Sequence, residues 1–344
     1  MINMIKSEKC LNEANSLTQE KPLVSIVVIT YNSFKFVLDT LESIKVQAYP
    51  NIELIVSDDC STDNTVEVCR NWIEENKDRF VRTELVTTEK NTGIPANCNR
   101  GVKLAKGEWI KLIAGDDAFF PDAIEKVIEY LVKKPHIDVI ATARINYNNN
   151  FNPENRLRKD VHDSWFFAEH MGAKQQFRKL LFWMYVNAPT VFIRRNIFYS
   201  IGFFDEQFKL IEDAPFFLKI TKVGVKIHFL DIDTIKYRIH NASVCGNAGQ
   251  GKLFNNFYKA AYEMHKELMF PEVNRLGRFC YSSQYHLHSI FEKLNLNKKS
   301  SFNYLLYKAL YYSLPHLFYI KIMNMSRRLS SNINSIFSNQ KLNM

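Results

Sequence analysis

Apolar runs alternate with amphipathic segments along the first part of the chain. The runs predict strands covered on both faces, whereas apolar positions spaced three and four residues apart predict helices. The predicted elements are strand Leu23–Ile29, helix Phe34–Gln47, strand Ile52–Ser57, helix Asp63–Glu75, strand Val81–Thr87, helix Pro95–Ala105, strand Glu108–Ile113 and helix Pro121–Lys133. This alternation favours an α/β fold with a mostly parallel sheet and helices on both faces.

Beyond residue 135 the pattern is less regular. A strand predicted at Ile137–Ala143 is followed by the polar, Asn-rich stretch Asn146–Arg158, which predicts a loop. A helix at Lys174–Tyr185 and short strands at Thr190–Ile193 and Val225–Leu230 complete the predicted α/β unit. We place the end of this unit near residue 250.

Composition divides the 344-residue chain into three predicted parts. Residues 1–21 are polar and of mixed charge and lack the apolar core of a secretory signal, which predicts a flexible arm on a cytoplasmic protein. Residues 22–250 are the α/β unit and the predicted catalytic domain. Residues 251–344 are aromatic and predicted to be helical, and their 13 Lys and Arg against 4 Asp and Glu account for the net charge of +9.

The basic C-terminal region has two interpretations. Its apolar stretch is interrupted by Lys308, Pro315, His316 and Lys321, whereas a membrane-spanning helix needs about 20 mainly apolar residues. The stretch therefore predicts either an interfacial helix, peripheral on the inner face of the cell membrane, or a helix packed on the catalytic domain. No nucleic-acid-binding motif accompanies the charge, so we expect no nucleic-acid partner.

The cysteines indicate a reducing compartment. The six cysteines form no Cys-x-x-Cys pair and no regular spacing, which argues against a zinc site and a disulfide framework. With 46% hydrophobic residues, the chain has enough apolar side chains for a large core. We therefore expect a core stabilised by packing.

Three acidic pairs are the candidates for chemistry. Asp116-Asp117 and Asp58-Asp59 each follow an apolar strand, and Glu212-Asp213 opens the helical stretch Ala214–Ile220. Ligands of open α/β sheets lie outside the carboxyl ends of the strands, so these acids can converge. Carboxylates together with substrate phosphates are the usual ligands of magnesium, which predicts a divalent cation held over a phosphate.

Five motifs occur in one order along the chain. They are Val24–Asn32, Ser57–Asp63, Asn91–Gly101, Gly115–Asp117 and Glu212–Asp213. Together they resemble the family 2 glycosyltransferases, over roughly residues 22–245. The resemblance implies a GT-A-like, Rossmann-type sheet with a helical C-terminal extension, and transfer of a sugar from a nucleotide donor.

The resemblance implies a nucleotide site at the first two strand ends. Thr30, Tyr31 and Asn32 would line the nucleobase pocket, and Asp59 would accept the N3–H of the base. A carboxylate accepts hydrogen bonds only, so uracil or thymine fits and the donor is a UDP- or dTDP-sugar. Asp58 would organise the turn or face the ribose.

The resemblance also implies a metal site for Mg²⁺ or Mn²⁺. Asp117 is the expected direct ligand, with Asp116 nearer the ribose or held through water. His240 matches a late histidine that approaches the metal or the diphosphate, and Arg238 close to it can pair with phosphate. The cation would neutralise charge on the leaving diphosphate.

Glu212 and Asp213 resemble the acidic motif whose second member is the general base. Asp213 would take the proton of the acceptor hydroxyl during a single displacement, which inverts the anomeric configuration, and Glu212 would support it. The alternative is a structural helix cap.

Two segments depart from the family pattern. Asn97-Cys98-Asn99 stands where many relatives have Ala-Arg-Asn, which leaves Arg100 as the substitute cation for the diphosphate. Asn187-Ala188-Pro189-Thr190 replaces a glycine-rich loop on the acceptor side. The absence of a Gln-x-x-Arg-Trp sequence argues against a processive synthase, so we expect transfer of one sugar.

We therefore expect an inverting, metal-dependent glycosyltransferase. Its acceptor would be a saccharide, carried on a lipid as in bacterial O-antigen or capsule assembly, and the basic tail suits such an acceptor. A nucleotidyltransferase is an alternative, although Thr30–Phe34 is no phosphate-binding loop. An inactive nucleotide-sugar-binding protein or membrane-associated scaffold is another, because fold does not fix function.

Overall fold

The computed structural model describes residues 21–160, 163–240, 251–255 and 257–315. Residues 1–20 of the predicted arm and the part of the predicted interfacial stretch beyond Pro315 lie outside these ranges. Among the described residues, no helix is both long and apolar enough to cross a membrane.

One mixed sheet runs through the described α/β unit. Its strands are β1 (Val24–Thr30), β2 (Ile52–Asp58), β3 (Arg82–Val86), β4 (Trp109–Ala114), β5 (Ala118–Phe119), β6 (Val139–Asn148), β7 (Arg156–Lys159), β8 (Val191–Arg194) and β9 (Ile227–Ile239). The spatial order is β3-β2-β1-β4-β8-β6-β9-β5, and β7 pairs with β6. The first four strands are parallel, as is the pair β6 and β9, whereas β8, β5 and β7 run antiparallel to their neighbours.

Helices cover both faces of this sheet. They are α1 (Val37–Lys45), α2 (Thr65–Asn76), α3 (Ile94–Leu104), α4 (Ala123–Val132), α5 (Ala173–Leu180), α6 (Arg195–Ile201) and α7 (Asp213–Lys222), followed by α8 (Phe257–Met264), α9 (Arg275–Lys293) and α10 (Ser301–Tyr312). Strand β1 shows why both faces need cover: Val27 lies in one core cluster, while Ile26 and Val28 lie in the other. The predicted α/β class is confirmed.

Three predictions for the second half need correction. The predicted loop Asn146–Arg158 is wrong, because β6 continues to Asn148 and the chain forms β7 after a short 3-10 turn. The predicted helix Lys174–Tyr185 ends at Leu180, and the predicted strand Val225–Leu230 is the start of the 13-residue strand β9. Pairing between β6 and β9 extends both strands, so it outweighs the polar composition.

The C-terminal helices pack partly on the α/β unit. Cys280 and Tyr281 of α9 belong to the same buried cluster as Leu181 and Phe182, and the Tyr281 hydroxyl donates to the Leu181 carbonyl. Helix α10 contains no buried residue and contacts α9 through Tyr307. Packing on the α/β unit therefore accounts for α9, whereas the apolar side chains of α10 are largely exposed.

Candidate active site

The carboxyl ends of β1, β2 and β4 meet at one edge of the sheet. Thr30 pairs with Asp58, and Ile29 pairs with Ala114. A Cβ on Gly115 would lie 2.8 Å from Thr30 Cγ2, so only glycine lets the acidic turn after β4 approach β1 this closely. This edge is the crevice expected from the sequence.

The Thr30–Asn32 turn is bonded to the turn after β2. The Thr30 hydroxyl donates to Asp58 Oδ2 at 2.7 Å, and the Asn32 amide donates to Ser61 Oγ at 2.8 Å. Asn32 has a left-handed backbone with φ of 51°, a conformation that asparagine tolerates. Tyr31 is half-exposed beside them, so its ring is open to a nucleobase.

Asp59 is fully engaged by the protein. Its carboxylate accepts from the Thr92 amide and hydroxyl, the Gly93 amide at 2.8 Å, and Arg100 Nη2 at 3.2 Å. These four donors fill the roughly four acceptor positions of a carboxylate, and Asp59 is 2% exposed. In this conformation Asp59 shapes the Asn91–Gly93 loop, and contact with a base requires one of these donors to move.

Arg100 contacts the Asp58-Asp59 turn and Thr92. Nη1 donates to Asn97 Oδ1 at 2.9 Å and to the Asp58 carbonyl at 3.2 Å, while Nη2 also donates to the Thr92 hydroxyl at 2.8 Å. The guanidinium is thus committed to the loops around Asp59. Its contacts do not support the expected role as a substitute cation for the diphosphate.

Asp116 and Asp117 have different surroundings. Asp117 is 1% exposed, its Oδ1 accepts the Arg238 amide at 2.9 Å, and burial together with the charge of Asp116 raises its pKa. Asp116 has a side chain that is 27% exposed, and its Oδ2 lies 2.9 Å from His240 Nε2. Asp116 is therefore the more exposed of the two aspartates and contacts His240, whereas the Asp117 carboxylate is buried and hydrogen-bonded to β9.

Arg238 holds the acidic turn in place. Its Nε donates to the Asp116 carbonyl at 2.7 Å, and its Nη atoms donate to the Asn149 carbonyl and to Asp39 Oδ2, each at 2.6 Å. The backbone amide of Arg238 also donates a hydrogen bond to Asp117, and the residue is only 2% exposed. Arg238 supports the site by positioning the turn, and its expected pairing with phosphate is not supported by these contacts.

Glu212 and Asp213 lie where α7 begins. The Asp213 carboxylate accepts the Ala214 amide at 2.7 Å, a contact favoured at the start of a helix. Burial raises the pKa of both acids, and the charge of Asp213 helps to raise the pKa of Glu212 to about 8. Glu212 therefore keeps its proton to a higher pH than an exposed glutamate, and Asp213 is a stronger base than an exposed aspartate.

One cavity of about 410 Å³ brings these acids together. Its lining includes Asp116, Asp117, Glu212 and Asp213, together with Asn187 of the unusual acceptor-side segment. A volume of this size is typical of small-molecule sites. The acidic groups after β4 and at the start of α7 therefore share a cavity, as the sequence predicted, whereas Asp58 and Asp59 do not line it.

Two basic residues were not identified from the sequence. Lys111, buried in β4, donates through Nζ to the Pro189 carbonyl, and Arg144 of β6 lines the cavity. A single cation within an apolar strand indicates a functional or paired residue, because a buried charge needs a partner. The sequence shows this pattern at Lys111, whereas Arg144 lies just beyond the predicted end of its strand.

The residues present fit a divalent cation with an incomplete protein ligand set. In the described part of the chain, no three His, Cys, Asp or Glu side chains converge as a metal site. Asp116 and His240 do offer one carboxylate and one imidazole side by side. Two protein ligands leave positions for substrate phosphates, as in many magnesium sites.

Comparisons with known proteins identify the family of the chain. Residues 25–202 match the family described as glycosyl transferase family 2. An uncharacterized glycosyltransferase of Rickettsia typhi, RT0329, is 27% identical over 66% of this chain and 67% of its own. TuaG of Bacillus subtilis, named as a candidate glycosyltransferase of teichuronic acid biosynthesis, is 32% identical over 118 residues. That match covers 34% of this chain and 45% of TuaG, so the chain spans less than half of that relative.

A solved structure shows the same fold. S. aureus TarS 1–349, crystallised in complex with UDP-GlcNAc, superposes with a TM-score of 0.54 at 21% identity. The match covers 77% of this chain and 71% of the TarS chain. The expected GT-A-like fold of a family 2 glycosyltransferase is thereby confirmed.

Proposed function

The chain belongs to glycosyl transferase family 2, and we propose that it transfers one sugar from a UDP- or dTDP-sugar to a hydroxyl of a saccharide acceptor. The observation that carries the proposal is the single cavity in which Asp116 and Asp213 meet. Asp116 follows Gly115, which packs against Thr30 of the proposed nucleotide turn, and Asp213 lines the same cavity as Asn187 of the segment expected on the acceptor side. A donor and an acceptor can thus occupy one site.

Asp213 is the proposed general base. It takes the proton from the acceptor hydroxyl while that oxygen bonds to the anomeric carbon and the bond to the nucleotide diphosphate breaks. The raised pKa of Asp213 brings its basicity closer to neutral pH, and the protonated Glu212 beside it carries no competing charge. A single displacement of this kind inverts the anomeric configuration.

Asp116 and His240 are the proposed ligands of Mg²⁺ or Mn²⁺. The cation, when bound, would offset the negative charge of the leaving diphosphate. Asp117 and Arg238 then serve to hold the Asp116 backbone, which reverses the order of the two aspartates expected from the sequence. Thr30, Tyr31 and Asn32 are the proposed nucleobase side of the site, with Asp59 and Arg100 shaping its floor.

We propose a lipid-linked repeat unit of a bacterial surface polysaccharide as the acceptor. One similarity supports this choice, because TuaG is named for teichuronic acid biosynthesis. The exposed apolar side chains of α10 suit an enzyme whose acceptor lies at a membrane surface.

The proposal is tested by incubating the full-length protein with a panel of UDP- and dTDP-sugars, Mn²⁺ and lipid-linked saccharides. We expect release of the nucleoside diphosphate and a product of inverted anomeric configuration by NMR. Release of pyrophosphate from a nucleoside triphosphate and a sugar phosphate would instead identify a nucleotidyltransferase. Failure of every nucleotide sugar to bind or react would contradict the proposal.

A further inference from the structure

Arg144 is a cation in the cavity to which the proposed mechanism gives no role. It lies on β6 and lines the cavity together with Asp116 and Asp213. Of the described residues that line this cavity, it is the only Lys or Arg. A cationic group placed among acids in a binding cavity requires a physical explanation, because burial of charge is costly without a partner.

The Arg144 guanidinium is held in one orientation. Its Nε donates to Asp160 Oδ2 at 2.5 Å, and its central carbon lies 4.0 Å from the centre of the Tyr237 ring. Asp160 is fixed in turn, because its backbone amide donates to the Arg144 carbonyl and Asn146 Nδ2 donates to its Oδ1 at 2.7 Å. Since Arg144, Asn146 and Tyr237 lie on paired strands, the orientation is rigid.

The outer edge of the guanidinium is available for a ligand. Among the described residues, no atom accepts a hydrogen bond from Nη1 or Nη2 of Arg144, whose side chain is 17% exposed. Asp160 therefore accepts from Nε only, and the two Nη atoms of Arg144 remain available as a pair of donors. Such a pair matches the two oxygens of a carboxylate or phosphate, and the resulting charge-assisted bonds are strong.

The position of Arg144 favours the acceptor over the donor. In the sheet, β4 and β8 separate β6 from β1, whose end forms the nucleobase turn. Asp160, which orients Arg144, also lies 3.4 Å from Asn187 Nδ2 in the acceptor-side segment. Arg144 thus lies toward the acceptor segment and away from the nucleotide turns.

We propose that Arg144 binds an oxyanion of the acceptor saccharide, either a uronic carboxylate or a sugar phosphate, while Asp213 faces the attacking hydroxyl. The acceptor is then an acidic saccharide whose negative charge and reacting hydroxyl both fit within the same cavity. This inference rests on the proposed function and specifies its substrate class. A donor diphosphate has the same oxyanion chemistry, so the test must separate the two sources.

The test uses the full-length protein saturated with UDP and Mn²⁺. Binding of D-glucuronate and of glucose 6-phosphate is compared with that of glucose by saturation-transfer NMR, and the affinity for UDP is measured separately by calorimetry. The variants are Arg144→Gln, Arg144→Lys and, as a control with the same change of charge, Arg156→Gln on the exposed strand β7.

We expect at least one acidic probe to bind about tenfold more tightly than glucose, as one charge-assisted pair implies. Arg144→Gln should remove this preference, Arg144→Lys should keep part of it, and Arg156→Gln should leave it unchanged. The affinity for UDP should be the same in all four proteins. The inference is overturned if the wild type binds UDP but does not prefer the acidic probes to glucose. It is also overturned if the preference persists in Arg144→Gln. Neither result contradicts the proposed function.

A loss of UDP affinity in Arg144→Gln with the acid preference intact would assign Arg144 to the donor diphosphate and also overturn the inference. A wild-type protein that binds neither UDP nor dTDP would instead defeat the proposed function, on which the inference rests. The two failures are therefore distinguishable.

Discussion

Glu212 and Asp213 show how two adjacent acids acquire different roles. Both are partly buried, so each prefers the neutral form more than an exposed acid does, and the charge of Asp213 disfavours ionisation of Glu212. The Ala214 amide stabilises charge on Asp213, which leaves the proton on Glu212. One carboxylate is thus available as a base, and the other is a neutral neighbour.

Replacement of these two acids should have unequal effects. We expect Asp213→Asn to lower the rate of transfer by roughly 10²–10⁴, because an amide cannot take the acceptor proton. Glu212→Gln should retain most of the activity at pH 7, since the amide resembles the protonated acid. Turnover numbers with a verified acceptor provide the measurement, and equal losses in both variants would argue for a structural role of the pair.

The activity should also decrease at acidic pH, because burial raises the pKa of Asp213. Because its pKa is raised, the base loses its charge at a higher pH than an exposed aspartate, which titrates near about 3.9. We expect the turnover number to fall as the pH falls through this raised pKa, with the same acid limb in Glu212→Gln. An acid limb at the value of an exposed aspartate would show that Asp213 is not the titrating base.

The family resemblance ranked Asp117 above Asp116 as the metal ligand, but nothing in the local sequence separates the two. Both residues are aspartates, and both follow the same apolar strand. What separates them is the Arg238 amide on β9, which donates a hydrogen bond to the carboxylate of Asp117, 121 residues earlier in the chain. The sequence therefore predicted the acidic turn, while the choice between its members depends on a long-range strand pairing.

At the level of elements, the first half of the fold was predictable and the second half was less so. Strands β1, β2 and β4 are covered on both faces, so they are apolar almost throughout. Strand β6 continues beyond its apolar part because β9 pairs with it, and this continuation carries Arg144. A residue placed by such pairing has no local signal, which is why Arg144 was not identified from the sequence.

Lys111 links two elements across the site. It lies in β4, donates to the Pro189 carbonyl of the 3-10 turn that precedes β8, and is balanced by the charge of Asp117. Burial lowers its pKa to about 7. In the unfolded chain a lysine titrates near about 10.4, so between these values the unfolded state binds more protons and stability rises with pH.

Lys111→Met should remove this pH dependence. We expect the free energy of unfolding of the wild type, relative to Lys111→Met, to increase by up to about 1.4 kcal/mol per pH unit between pH 7 and about 10. Urea denaturation at several pH values checks this, with the exposed Lys133→Met as the matched control. A constant difference between wild type and Lys111→Met across this range would contradict the lowered pKa.

On the scale of the whole molecule, the C-terminal helices have two kinds of surface. Helix α9 buries Phe291 and His288, whereas α10 exposes a stripe that contains Phe302 and Leu305, which are 70% and 65% exposed. The surrounding region is basic, with 13 Lys and Arg against 4 Asp and Glu in residues 251–344. Apolar and basic groups together are typical of an interfacial helix.

Binding to anionic liposomes should therefore depend on α10. We expect truncation after residue 300, and the double substitution Phe302→Ser with Leu305→Ser, to weaken binding while transfer to a soluble acceptor persists. Each basic residue near an anionic surface contributes about 1 kcal/mol, so binding should also weaken with salt. Co-sedimentation is the measurement, and Val223→Ser, an exposed apolar site on the α/β unit, is the control. Equal binding by all proteins would exclude α10 as the membrane contact.

The cavity between β4 and α7 is the proposed metal-assisted nucleotide-sugar site, in which Asp116 would contact the cation. Calorimetric titration of UDP and dTDP, with and without Mn²⁺, into the wild type, Asp116→Asn and Asp117→Asn tests it most directly. We predict that Mn²⁺ strengthens nucleotide binding to the wild type and to Asp117→Asn, whose amide oxygen can still accept the Arg238 N–H, whereas Asp116→Asn loses the Mn²⁺ effect. Nucleotide binding to the wild type that does not respond to Mn²⁺, or no binding at all, would contradict the account.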